Sequence, residues 1–295
     1  SRSWMRPGAT SIKRLLYVSD WQTNDVFVYD YATGDQVGKL TGFHAPYGQC
    51  EDAKGDIWIA NYNGKTLVEY AHGGTTPIAT LQAGKENQGC AIDPVTGNLA
   101  VASLADKRHA ILIWKRARGM PTAYSSESCF YVWVPAYDRS GNLYVESQQT
   151  DSTIDICALP RGSTTLAPVS SDLPIVYPAN VMWDGEYLAF GDQEYDNTLY
   201  SGLYQAQEQA SGGVRLAGST ELRDMVCGYS GVVAPFIVGT KNTPRNHRQG
   251  RVVIGENFFC RNRLDFWAYP AGGPLTGTLQ KAPYIASAES VSIEK

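Results

Sequence analysis

Pro46-Tyr47-Gly48-Gln49-Cys50-Glu51-Asp52-Ala53-Lys54-Gly55-Asp56-Ile57-Trp58-Ile59-Ala60-Asn61 reads as strand, turn, strand. The turn is Asp52-Ala-Lys-Gly55, and the run after it is rich in β-branched and aromatic residues, as a strand requires. The same turn returns as Asp93-Pro-Val-Thr-Gly97, Asp138-Arg-Ser-Gly141 and, shortened, Asp184-Gly185. Its glycines stand at 55, 97, 141 and 185, steps of 42, 44 and 44 residues. A second turn alternates with the first: Tyr31-Ala-Thr-Gly34, Tyr70-Ala-His-Gly73, Arg116-Ala-Arg-Gly119, Leu159-Pro-Arg-Gly162 and Tyr269-Pro-Ala-Gly272. Glycine suits both turns because tight hairpins need positive φ. Two turns alternating at this period describe a four-stranded unit repeated around a ring, an all-β propeller.

Full units begin near Pro46, Gln88, Tyr131 and Pro178, and a fifth near Pro235 carries an insertion at 241–250. Residues 15–42 match the second to fourth strands of a unit and lack the first. The C-terminal stretch Ala282-Pro-Tyr284 through Ile293 matches a first strand, and its opening repeats Ala45-Pro-Tyr47. The sequence therefore predicts a tail over 1–14 and one six-bladed propeller over 15–295. The C-terminal strand pairs with the N-terminal blade and closes the ring, which removes exposed sheet edges. The stretch 219–233 leaves room for further strands, so seven blades is the alternative.

Charged residues make up 18% of the chain, with 18 Tyr and 29 Gly, a composition of short strands and many turns. The net charge of −4 and the lack of a basic stripe argue against nucleic acid as a partner. No apolar run approaches the roughly 20 residues of a membrane-spanning helix. The opening Ser-Arg-Ser-Trp, without Met or an apolar leader, is read as the mature end of a secreted or periplasmic chain. Six cysteines without a Cys-x-x-Cys pattern speak against zinc. At least one disulfide is expected. Cys227 and Cys260, on two loops of one face, are the first pair, Cys50 and Cys90 the second, and free buried thiols the alternative.

The order Pro46-x-Gly48, Asp52-x-x-Gly55, then Trp58-Ile-Ala-Asn61 resembles an NHL repeat; Asp93–Ser103 and Asp138–Ser147 follow it more loosely. The wider architecture is similar to that of six-bladed propellers of the gluconolactonase and senescence-marker group. The resemblance implies the fold. Its relatives include hydrolases, lyases and binding scaffolds, so it implies no single activity.

The regular Asp-x-x-Gly and Gly turns occupy one face of such a ring. The other face carries the irregular loops, where binding concentrates on a rigid scaffold. Trp21, Tyr62, His109, Tyr195, Phe258 and Phe259 are the candidate binding residues there, suited with nearby Asn, Gln and Asp to a protein, a glycan or a second copy of the chain. At the ends of the second strands, Asp20, Asn61, Asp192 and Glu256 offer oxygen ligands of the kind that hold Ca²⁺. The same residue types commonly cap their own loops by accepting backbone N–H groups. Two functions remain open: a binding or structural module working through its loop face, and a metal-dependent hydrolase or lyase with its site at the central channel. No nucleophile or P-loop motif is present to decide between them.

Overall fold

The computed structural model describes residues 2–104, 110–194, 200–225, 231–232, 234–239, 251–256, 263–279 and the backbone of 291–293. Six sheets follow one another along the chain. Blade 2 is Pro46–Glu51, Ile57–Asn61, Thr66–Tyr70 and Pro77–Gln82. Blade 3 is Asn87–Ile92, Leu99–Ser103, Ala110–Trp114 and Thr122–Tyr124. Blade 4 opens with two short pieces, Tyr131–Val132 and Ala136–Tyr137, then Leu143–Gln148, Ile154–Leu159 and Ala167–Val169. Blade 5 is Pro178–Trp183, Leu188–Asp192, Ser201–Glu208 and Val214–Arg223, and blade 6 is Phe236–Val238, Val252–Glu256, Leu264–Ala268 and Gly277–Leu279. Each first strand lies one residue or less from the start read in the sequence. The stretch 219–233 continues the outer strand of blade 5 as far as Arg223.

Blade 1 is assembled from both ends of the chain. Leu15–Asp20, Asp25–Asp30 and Gln36–Thr41 supply its second to fourth strands, and Val291–Ile293 pairs antiparallel with Leu16–Val18 as the first. The pairing residues stand at the end of the predicted stretch; its opening, Ala282-Pro-Tyr284, lies outside the described residues. Within residues 1–14, Trp4–Met5 form a fifth strand on the outer edge of blade 1. Gly38 makes room for it, since a Cβ there would lie 2.0 Å from Met5 Sδ. A two-residue strand has no period, so the sequence showed only a tail.

Alternating strand residues face opposite neighbours, and the core divides accordingly. Among the described residues six apolar clusters form, each shared by two consecutive blades. The cluster of Leu16, Phe27 and Tyr29 with Ile254 and Phe266 joins blade 6 to blade 1 and completes the circle. The recurring aspartates have a plain physical role. Asp52, Asp138 and Asp184 each accept two backbone N–H groups of their own turn at 2.7–3.0 Å, which closes the hairpin.

The first strands contact one another in a ring around the axis. They approach almost backbone to backbone. A Cβ on Gly48 would lie 2.5 Å from the Gln88 carbonyl oxygen, and one on Gly89 would lie 2.7 Å from Val134. Val134 bridges to Asn180, and its carbonyl accepts the Val181 N–H at 3.1 Å.

Candidate functional site at the channel mouth

At the loop-face end of four successive first strands the ladder carries one extra residue. Pro46 faces Asn61 but Gln49 faces Ile59; Asn87 faces Ser103 but Gly89 faces Ala102. Val132 faces Ser147 but Ala136 faces Tyr144, and Pro178 faces Asp192 but Val181 faces Phe190. Such bulges bend a strand and re-aim its side chains. Here they recur at one level of the ring, in the segments that carry Tyr47, Gln88, Trp133 and Asn180.

Aromatic residues gather at this level. Tyr47 and Tyr62 meet with centroids 5.3 Å apart, Tyr131 and Trp133 at 5.6 Å, and Trp133 and Tyr177 edge-on at 6.0 Å. Tyr47, Tyr62, Tyr131 and Trp133 are half-buried, and Tyr177 is 41% exposed. Glu86, held at a φ of 60°, donates its N–H to the Tyr62 carbonyl at 2.7 Å and so sits between the two groups. Burial, reinforced by the Glu86 carboxylate, pushes the Tyr62 phenol up to about 12. The Tyr131 phenol is raised by burial first and Glu86 second.

Polar side chains are buried with these rings. Gln88 donates to the Tyr131 hydroxyl at 3.3 Å, and Asn180 donates to the Pro235 carbonyl at 2.9 Å. Glu146 is fully buried; one of its oxygens accepts the Ala179 N–H at 2.9 Å. Gln88 Oε1, Glu146 Oε1, Asn180 Oδ1 and Trp133 Nε1 have no hydrogen-bond partner among the described residues. Burial holds the Glu146 carboxyl well above the usual range, against the opposing Ala179 bond and with help from Asp192.

Three of the four oxygen ligands predicted at the ends of the second strands hold loops. Asp20 accepts the N–H groups of Gln22 and Thr23 at 2.9 and 3.1 Å. Asn61 accepts the His44 N–H at 2.6 Å. Asp192 accepts from Val176, Tyr177 and Glu194 at 2.9–3.0 Å, although burial still raises its carboxyl. Glu256 is buried at the matching position of blade 6. Among the described residues, the acidic side chains that bring three oxygens within 4.8 Å of one another are Asp52, Asp56 and Glu69, on the turn face. Asp20, Asp192 and Glu256 do not form such a group.

Of the predicted binding residues, Tyr62 lies in the aromatic arc and Trp21 is 43% exposed on the loop of blade 1. His109, Tyr195, Phe258 and Phe259 lie outside the described residues, as do Cys227 and Cys260. The second predicted disulfide, Cys50–Cys90, joins the first strands of blades 2 and 3, and Cys129–Cys157 staples blade 4. The sequence reading passed over Trp133, Tyr177 and Asn180. Their signal was position: each stands in or just before a first strand, at the level where Tyr47 stands in blade 2.

No protein-family model and no curated protein matches the chain. Solved structures match it in fold. A protein of unknown function from Bacteroides caccae superposes with a TM-score of 0.67 at 13% identity, covering 96% of this chain and 99% of its own. A chain of a nidogen/laminin complex gives 0.63 at 13% identity, over 90% and 93%. A β-propeller domain from Myceliophteria thermophila gives 0.58 at 11% identity, over 90% and 86%. The propeller fold read from the turns is thus shared with proteins only 11–13% identical to this chain.

Proposed function

We propose that the chain is a secreted or periplasmic binding module that holds its partner at the loop-face mouth of the channel. The observation that supports this is the arc of half-exposed rings from Tyr47 to Tyr177, interleaved with buried polar side chains that each keep one atom unpaired among the described residues. Rigid aromatic faces give contact area at low entropic cost, and placed polar groups give specificity. Two disulfides fit an oxidising compartment. The nidogen/laminin complex of similar fold is itself an assembly of two proteins. The hydrolase reading needs a cation among Asp20, Asn61, Asp192 and Glu256, and backbone N–H groups already engage the first three.

The test is a set of peptide and glycan arrays probed with the native protein, Tyr62→Ala and Tyr177→Ala, with Ile78→Ala on the opposite face as control. The reading requires a ligand class that the native protein and the control retain and both tyrosine variants lose. A ligand retained by all four proteins places binding elsewhere.

A further inference from the structure

The sector of the mouth between blades 3 and 5 has a chemistry of its own. Gln88, Tyr131, Trp133, Glu146, Tyr177 and Asn180 form a connected set through ring contacts, hydrogen bonds and the Val134–Asn180 bridge. Gln88, Glu146 and Asn180 are more than nine-tenths buried. Each keeps an oxygen that meets no donor among the described residues. Buried acceptors left unpaired are costly and uncommon, and three in one sector ask for a ligand rich in donors. The sector also holds an acid that burial keeps from ionising. Among the described residues, no Lys or Arg nitrogen lies within 4.0 Å of the Glu146 carboxylate.

We propose that this sector binds a primary ammonium group on an apolar stem, presented as a lysine side chain of a partner protein. An ammonium carries three donors and no acceptor, the complement of a sector whose unmet atoms are mostly acceptors. Its charge compensates Glu146, and a cation against Tyr and Trp faces gains further attraction. The four-carbon stem packs along Tyr131, Trp133 and Tyr177 while its head reaches the polar groups. Trp133 Nε1 is an orphaned donor, and a backbone carbonyl beside the lysine suits it. A free amine lacks that carbonyl, which favours a peptide. This inference rests on the loop-face reading above and adds the ligand's chemistry to it.

Isothermal titration of the intact protein tests it with four probes: a blocked lysine tetrapeptide, its Nε-acetylated form, n-pentylamine and the neutral disaccharide cellobiose. The lysine peptide is expected to bind at least tenfold more tightly than the acetylated form, with pentylamine between them. Binding should release a proton, seen as a buffer-dependent heat, because the ammonium favours ionised Glu146. Glu146→Gln keeps the acceptor for Ala179 and should lose the proton release and at least tenfold in affinity; Tyr177→Ala should weaken binding without altering proton release. Pentylamine binding as tightly as the peptide would overturn the protein partner and leave the ammonium site. Equal binding of the lysine and acetyl-lysine peptides, or no binding at millimolar concentration, overturns the proposal. Cellobiose bound in preference and lost in Tyr177→Ala also overturns it, while the loop-face reading survives.

Discussion

The Tyr269 hydroxyl of blade 6 donates to the Asp184 carboxylate of the blade 5 turn at 2.6 Å. Arg251 meets the same carboxylate at 2.7 Å, and both acid and phenol are buried. A turn whose first duty is to close a hairpin thus also ties two blades together. Burial works to raise the Asp184 carboxyl, but these donors together hold it below its ordinary range. Hydrogen bonds to a charged group contribute about 1.5–3 kcal/mol. Tyr269→Phe is therefore expected to lower stability by about 2 kcal/mol at pH 7, and by less where acid has protonated Asp184. Urea titrations at pH 7 and about pH 2, below the lowered Asp184 range, check this; equal losses at both would count against it.

Asp265 sets the opposite pH trend. Arg263 pairs with both Asp224 and Asp265, so two carboxylates share one cation in a buried place. Burial pushes the Asp265 carboxyl up to about 7, despite Arg263. A carboxyl with a raised folded pKa stabilises the fold when protonated. Its contribution is full below about pH 4 and is lost as pH rises toward 7. Asp265→Asn removes the surplus charge and keeps an oxygen for Arg263. The variant should melt higher than the native protein at pH 8 and lose this gain by pH 4. A uniform drop in melting temperature at every pH would show that the charge itself is needed.

The two disulfides close segments of 40 and 28 residues. In the chain-entropy account each restricts the unfolded chain by about 4 kcal/mol at 25 °C. Cys50–Cys90 also holds two first strands together where Gly48 and Gly89 bring backbones into contact. Replacing both cysteines of either pair by Ser should lower the melting temperature by several degrees, and adding reductant to that variant should lower it again. A variant that melts with the native protein removes that bridge from the account of stability.

The parts of this molecule that repeat were legible before the structure. Asp52, Asp93, Asp138 and Asp184 recur because each closes the same hairpin, and the period they set fixes blade number and strand starts. The bulges left a fainter trace. A single extra residue in a strand changes no composition, so Gln88 and Asn180 read as ordinary strand polar groups. The oxygen ring of Asp20, Asn61 and Asp192 was found as a pattern, but pattern alone does not separate loop capping from metal binding. Hydrogen-bond partners bear on that and are invisible in sequence: Asp192 accepts from residues as far back as Val176. Trp4–Met5 left no trace, because that strand depends on a vacant side-chain position at Gly38, 33 or more residues away.

Closure by Val291–Ile293 makes a strong demand on the C-terminus. Without it, Leu16–Val18 would carry an unpaired edge at the centre of the ring. An exposed edge of apolar residues invites pairing with other chains. A protein ending at residue 289 should melt markedly lower and self-associate in sedimentation. A soluble monomer with an unchanged melting curve would show that the ring holds without this strand.

Calcium separates the two functional readings through Asp192. Its two oxygens already accept three backbone N–H groups, and two of these belong to the loop that presents Tyr177. A carboxylate so engaged acts as a clasp between the second strand and the channel mouth. A cation that bound only the folded state would add RT ln(1 + [L]/Kd) to stability. With the carboxylate serving as a clasp, millimolar Ca²⁺ should leave the melting temperature of the native protein unchanged. Asp192→Ala should destabilise the fold by about 2–3 kcal/mol through lost charged hydrogen bonding, and so lower that temperature, with or without calcium. It should also weaken any ligand held by Tyr177, since the ring loses its anchor. Calorimetric scans of both proteins, with Ca²⁺ or chelator, measure this. A calcium-dependent rise in the native protein that Asp192→Ala abolishes would turn the clasp into a metal ligand and bring the hydrolase reading forward.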